Sequence, residues 1–162
     1  MAGLPHALLS LAEAVEASPV GAAMRGVRGL YPAVNIAHLL GVVLLVGGIG
    51  AVDARVLGLG RAVPLAALSR YLTPAATAGL VLLTVSGVLL FCADAGPFTR
   101  SPLFQAKLGL IAVGVANAAL FRRRFGDFED GSEPPATARL MAATSLGLWT
   151  GATVIGRYLA YA

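Results

Sequence analysis

Four long apolar runs dominate the chain, and short segments that carry most of its charged residues separate them. Each run approaches the ~20 residues that a helix needs to cross ~30 Å of hydrocarbon at 1.5 Å per residue. The pattern therefore predicts four transmembrane helices, at Tyr31 to Val52, Tyr71 to Ala93, Leu103 to Phe121 and Ala138 to Tyr158.

The first residues predict a different kind of element. Leu4, Leu8, Leu11 and Val15 share one stripe of a helix from Leu4 to Ala17, which is too short and too acidic to span a bilayer. We interpret it as an amphipathic helix at the membrane interface. It is not a signal peptide by pattern, because the basic residues follow the apolar stretch instead of preceding it. The expected organisation is an interfacial helix and linker over 1–28 and a four-transmembrane-helix domain over 29–162.

Composition agrees with a membrane protein of the all-α class. Of 162 residues, 57% are apolar and only 12% are charged, too few charges for a water-facing surface. The single cysteine, Cys92, excludes an intramolecular disulfide. The net charge of +4 comes from arginines that flank the apolar runs. We therefore expect lipid headgroups as partners and no nucleic acid.

The arginines also predict the orientation. Seven of them lie in the loops after the first and third spans or near the inner end of the fourth: Arg55, Arg61, Arg70, Arg122, Arg123, Arg124 and Arg139. Only Arg25, Arg28 and Arg100 lie on the opposite side. Because basic loops stay in the cytoplasm, both termini are expected outside it.

Several polar residues fall at one depth in this topology, in the outer third of the membrane. They are His38 in the first span, Lys107 in the third and Arg157 in the fourth, with Asn35 on the same helix face as His38. An ionisable group in hydrocarbon costs at least ~2.5 kcal/mol, so such groups usually face the bundle interior. We predict a polar pocket there, with His38 as its metal ligand. Snorkelling of the two cations, a structural role for His38 and proton transfer remain the alternatives.

Other residues favour structural roles. Gly41, Gly47, Gly48 and Gly50 permit close approach of the first helix to a neighbour or to a second copy of the chain. Asp53, two residues before an arginine at the inner end of that helix, is interpreted as part of an interfacial turn or a local ion pair.

The stretches YPAVNIAHLLGVVLLVGGIGAVDARVLGLG, SPLFQAKLGLIAVGVANAALF and SLGLWTGATVIGRYLAY, which begin at Tyr31, Ser101 and Ser145, resemble an uncharacterised family of small bacterial four-helix membrane proteins. At Asn35 the chain departs from that family, where an acidic residue is common. The family is distantly similar to the copper-resistance D type of membrane domain. For a bacterial protein of this kind we expect an inner-membrane location, and the arginine distribution then places both termini in the periplasm. By analogy of fold alone, the resemblance implies haem b or copper as a cofactor.

Three functions are compatible with these features. The first is a membrane redox or metal-handling protein in which His38 ligates haem or a metal and the two cations bind anionic groups. The second is a permease for a small solute or copper ion, and the third is an accessory subunit of a larger membrane complex. The hydrolase, phosphate-loop and zinc motifs are missing from the sequence, so an enzyme is the less favoured interpretation.

Overall fold

The computed structural model describes residues 6–126, 133–159 and 161. All the regular structure in these residues is helical, which confirms the predicted all-α class. The helices are α1 (His6–Glu16), α2 (Pro19–Gly26), α3 (Leu30–Val56), α4 (Leu65–Ala93), α5 (Ala95–Arg100), α6 (Pro102–Phe125) and α7 (Ala136–Tyr158). The predicted start of the interfacial helix at Leu4 lies outside the described residues.

A serine followed by a proline begins two of these helices. Ser101 accepts a hydrogen bond from the Phe104 amide at 3.4 Å, and Pro102 occupies the first turn of α6. The same arrangement begins α2, where Ser18 accepts from the Gly21 amide at 3.2 Å. A capping hydroxyl replaces a missing helix partner, and proline has no amide hydrogen to lose there. The start predicted for the third span is therefore correct to one residue.

Three helices, α3, α4 and α6, are long and apolar enough to cross a membrane. The pair α1 and α2, bent by 56° at its break, would add a fourth if it formed one span. The helix α7 has the position and the length predicted for the fourth span but is not among the three. Its serine and threonines lower its hydropathy, so length favours a span here more than composition does.

The four long helices form two hairpins, α3 with α4 and α6 with α7. Contacts between α3 and α7 join the hairpins, so the spatial order is α4, α3, α7, α6. No Cα atoms of α4 and α6 come within 8 Å of each other, although a closed bundle would make these two helices neighbours. The described helices therefore leave one edge, between α4 and α6, without close backbone contact, and we name it the open edge.

The first hairpin is held together by close backbone contact. A Cβ atom added at Gly79 would lie 2.6 Å from the Leu45 nitrogen and 2.9 Å from the Gly41 oxygen. Near the other end of the contact, a Cβ at Gly48 would lie 3.1 Å from the Leu72 oxygen. Gly47, next to Gly48 in sequence, points into open space because adjacent helical positions face directions 100° apart. Of the glycines predicted to permit close approach, Gly41 and Gly48 do so and Gly47 does not.

The short helices α1, α2 and α5 lie together at one end of the long helices, which we name the capped end. The Arg25 guanidinium donates to the Ala93 oxygen at 2.9 Å and to the Glu16 oxygen at 2.8 Å. The Glu16 carboxylate accepts from the Gly96 amide at 2.9 Å. These bonds satisfy backbone groups at the end of α4 and the start of α5 that the helices cannot satisfy themselves. They tie the short helices to the end of α4.

Two apolar clusters fill the contacts between the long helices. One lies toward the opposite end, which we name the arginine end because α6 finishes there with Arg122, Arg123 and Arg124. That cluster contains Val52, Val56, Leu65, Ala138 and Ala142. The second, nearer the middle, contains Leu45, Ala76 and Trp149, and Leu83 and Ile111 pack against it. The space between this middle cluster and the capped end holds the candidate site.

Candidate functional site

A chain of two hydrogen bonds fixes the orientation of the His38 ring. His38 Nδ1 lies 2.9 Å from the Ser86 hydroxyl oxygen, across the contact between α3 and α4. That hydroxyl donates its only hydrogen to the Leu82 carbonyl, one turn earlier in α4. The serine oxygen can then only accept from the imidazole, so the network assigns the hydrogen of His38 to Nδ1. The lone pair of the neutral ring is therefore at Nε2.

Packing supports this orientation. The ring lies against Gly87, where a Cβ atom would approach His38 Cε1 to 3.4 Å. Ser86 is buried and His38 is half-buried. Nε2 has no hydrogen-bond partner among the described residues. A rigidly held imidazole thus offers a free lone pair to a ligand.

Lys107 approaches the same region from α6. Its side chain is half-buried against α7, where a Cβ atom at Gly156 would lie 3.1 Å from Nζ. Its position places its charge within range of the His38 imidazole. Two of the four predicted site residues, one from each hairpin, therefore lie within electrostatic range of each other.

Arg157 and Asn35 are exposed, unlike the half-buried His38 and Lys107. Arg157 is exposed, and its guanidinium stacks 4.6 Å from the centre of the Tyr161 ring and bonds to the Tyr161 hydroxyl. Together with Val154 and Tyr158 these residues line a shallow surface depression. Asn35 is exposed on the outer side of α3. The depth predicted for both residues did not determine the direction of their side chains.

Apolar side chains lie above and below the pair formed by His38 and Lys107. Toward the capped end, the rings of Phe91 and Phe104 stack with centres 5.6 Å apart, and Phe98 lies 5.3 Å from Phe104. We name these three residues the phenylalanine roof. Below lies the middle cluster with Leu45 and Ile111. Phe104 and Ile111 are seven residues apart, so roof and cluster are separated by ~10 Å along α6.

A second polar contact lies toward the arginine end and was not predicted. Asp53 is only 4% exposed and shares a side-chain hydrogen bond with Ser145 of α7, also 4% exposed. Its Oδ2 atom has no partner among the described residues. Arg55 binds the backbone oxygens of Val63 and Arg61 instead. The local ion pair suggested for Asp53 is therefore wrong: helical spacing turns Asp53 inward and Arg55 toward the loop.

No protein-family model, curated protein or solved structure matches this chain. The likeness to an uncharacterised bacterial family stays a prediction that rests on the quoted stretches of sequence.

The donor set of the described residues limits which metal groups could bind. No three histidine, cysteine, aspartate or glutamate side chains in the described part of the chain lie close enough together to hold a metal ion. Cys92 is buried under α2, and His6 is exposed on α1. His38 thus offers a single nitrogen, which suits a group that brings its other ligands with it better than a bare ion.

Proposed function

We propose that this chain is an integral membrane protein that binds haem b beside His38, with Nε2 as the iron ligand, in membrane redox chemistry. One observation carries the proposal. The hydrogen bonds from His38 Nδ1 to Ser86 and from Ser86 to the Leu82 carbonyl leave the lone pair of the imidazole at Nε2. Ligating histidines in proteins usually donate their other ring hydrogen in this way, which fixes ring orientation and raises ligand basicity.

The remaining residues of the site also suit haem as the ligand. A porphyrin would bring its own ring nitrogens as ligands, so a single histidine of the chain would be enough to hold the iron. The Lys107 ammonium is positioned to pair with a carboxylate, and the phenylalanine roof offers flat apolar surface to a macrocycle. When bound, haem would supply one-electron chemistry, while the chain would orient it and exclude water.

Location and partners follow the sequence predictions. We propose an inner-membrane protein with both termini in the periplasm, which would place the capped end and the site on the periplasmic side. A second axial ligand, where one is needed, would come from a second copy or from another subunit of a membrane complex. The permease alternative has less support, because the cluster of Leu45, Ala76 and Trp149 fills the middle of the helix contacts with apolar side chains.

Absorption spectroscopy of the protein purified in mild detergent tests the proposal. Haem bound on purification, or added as haemin, should give a Soret band whose position depends on His38. His38→Ala should abolish this ligation, and Ser86→Ala should weaken haemin affinity by about 10- to 100-fold, as expected for loss of an orienting partner. Lys107→Ala should weaken retention but leave the ligated spectrum unchanged.

His6→Ala is the matched control, since it removes the other histidine of the chain from an exposed position on α1. It should leave the spectrum and the affinity unchanged. An identical Soret band in wild type and His38→Ala would reject His38 as the ligand.

A further inference from the structure

The open edge of the bundle lies beside the candidate site. Phe91 stacks on Phe104, so it marks the side of α4 that faces α6. Helical spacing continues that side through Gly87, Thr84 and Leu80. Gly87 is the residue against which His38 packs. The edge between α4 and α6 therefore leads to the imidazole.

This edge has an apolar surface despite its threonine. The Thr84 hydroxyl donates to the Leu80 carbonyl of its own helix at 2.8 Å, so the polar hydrogen is turned inward along α4. Val88 of α4 is 56% exposed and Leu108 of α6 is 50% exposed. Apolar side chains of this kind contact lipid chains at no free-energy cost, whereas their exposure to water is unfavourable.

The other approaches are occupied by protein. The phenylalanine roof and the short helices lie toward the capped end, and the middle cluster lies below the site. Packing of α3 on α4 and on α7 occupies two further sides. Among the described long helices, α4 and α6 are the one pair that a closed bundle would make neighbours but whose backbones lie apart.

We propose that the ligand of His38 enters and leaves sideways, from the hydrocarbon of the bilayer through the edge between α4 and α6. This inference rests on the proposed function and narrows its ligand: the guest is planar, partitions into lipid and carries an anionic edge group, as a porphyrin with carboxylates does. A hydrated copper ion fails this description, because it would have to shed its water to cross an apolar edge.

The structure offers a contact for each end of such a ligand. Lys107 lies three residues after Phe104, one turn below the phenylalanine roof, and provides the cation for a carboxylate. His38 lies across the opening on α3 and provides the nitrogen. The guest would connect the two hairpins below the stacked rings of Phe91 and Phe104, where the backbones of α4 and α6 stay apart.

A removable bridge across the opening tests the route. The variant Val88→Cys with Leu108→Cys, on a Cys92→Ala background, is reacted with a bismaleimide that contains a disulfide. Both positions are exposed and lie less than two turns below the roof. The control joins Val81→Cys to Val85→Cys, two exposed positions one turn apart on α4, with the same reagent.

The measurement is the rate of haemin transfer from loaded phosphatidylcholine vesicles to vesicles that contain the protein. It is followed by the Soret band and by quenching of Trp149, the only tryptophan in the chain. The bridge should slow transfer about tenfold, since it restricts the moving elements. Reduction of the linker should restore the rate, which separates blocked entry from misfolding, and the control pair should behave as the unbridged protein.

Three results would overturn the inference. Equal transfer rates with and without the bridge would show that the guest uses another route, while leaving haem binding at His38 intact. Failure of the two cysteines to form a bridged product would show that these positions do not face each other across this edge. Absence of any transfer that depends on His38 in the unbridged protein would reject the proposed function and this inference with it.

Discussion

Replacing Gly79 with alanine should push α3 and α4 apart where the two helices are closest. The added methyl group would lie 2.6 Å from the Leu45 nitrogen, 2.8 Å from the Leu44 Cβ atom and 2.9 Å from the Gly41 oxygen. Two of these atoms belong to the backbone of α3, so a change of rotamer cannot relieve the overlap. The helices themselves must separate or shift.

The magnitude follows from two opposing terms. Alanine stabilises a helix interior by up to ~1 kcal/mol relative to glycine. Overpacking a tight contact costs about 1 to 3 kcal/mol, and more when backbone must move. We therefore expect a net loss of about 2 kcal/mol in the free energy of unfolding. The separation should also stretch the 2.9 Å contact between His38 and Ser86, which lies two turns along α4 from Gly79.

Gly47→Ala is the matched control, because a Cβ atom there would meet no other atom within 4 Å. It should be neutral or stabilising by up to ~1 kcal/mol. Unfolding in mixed detergent micelles can be followed by the fluorescence of Trp149, which shares a cluster with Leu45 and Ala76 beside the helix contact. If Gly79→Ala proves as stable as Gly47→Ala, the close packing of α3 on α4 is refuted, and with it the placement of His38 against Ser86.

Two further predictions concern the arginine end and the orientation. Ser145→Ala removes the partner of the Asp53 carboxyl and should cost about 1 to 3 kcal/mol of unfolding free energy, whereas Thr144→Ala, at an exposed neighbouring position, should change it by less than about 0.5 kcal/mol; equal effects would contradict the inward contact. With termini in the periplasm, a membrane-impermeant maleimide added to intact cells should label a cysteine placed at Gly26 but not one at Gly60, on a background without the native cysteine, and the opposite pattern would reverse the topology.

The long helices could be predicted because the constraint that produces them acts on each segment separately. An apolar run of the right length must form its backbone hydrogen bonds internally in lipid, whatever the other segments do. The sequence thus predicted α3, α6 and α7 within a few residues at each boundary. It placed the start of the second span at Tyr71, whereas α4 begins at Leu65, because the charge of Arg70 marks the preceding residues as a loop by pattern alone.

The directions of the side chains could not be predicted in the same way. Depth along a helix follows from residue number, but the face that meets another helix depends on how the helices are ordered in space. Arg157 and Lys107 have the same predicted depth, yet Arg157 stacks on Tyr161 at the surface and Lys107 packs against Gly156 of α7, within electrostatic range of His38. A signal for the missed partners was present: Ser86 and Ser145 are serines inside apolar runs, where a hydroxyl usually has a partner.

The two buried contacts of α3 position different parts of the site. His38 binds Ser86 within its own hairpin, so the free Nε2 is prepared by α3 and α4 alone. Asp53 binds Ser145 across the contact with α7, which belongs to the hairpin that carries Lys107. The position of Lys107 relative to His38 therefore depends on the joint between α3 and α7, at a distance from the site itself. Ligation by His38 and charge pairing by Lys107 are therefore separable. Loss of the contact between α3 and α7 should displace Lys107 and the open edge while leaving the His38 imidazole in place.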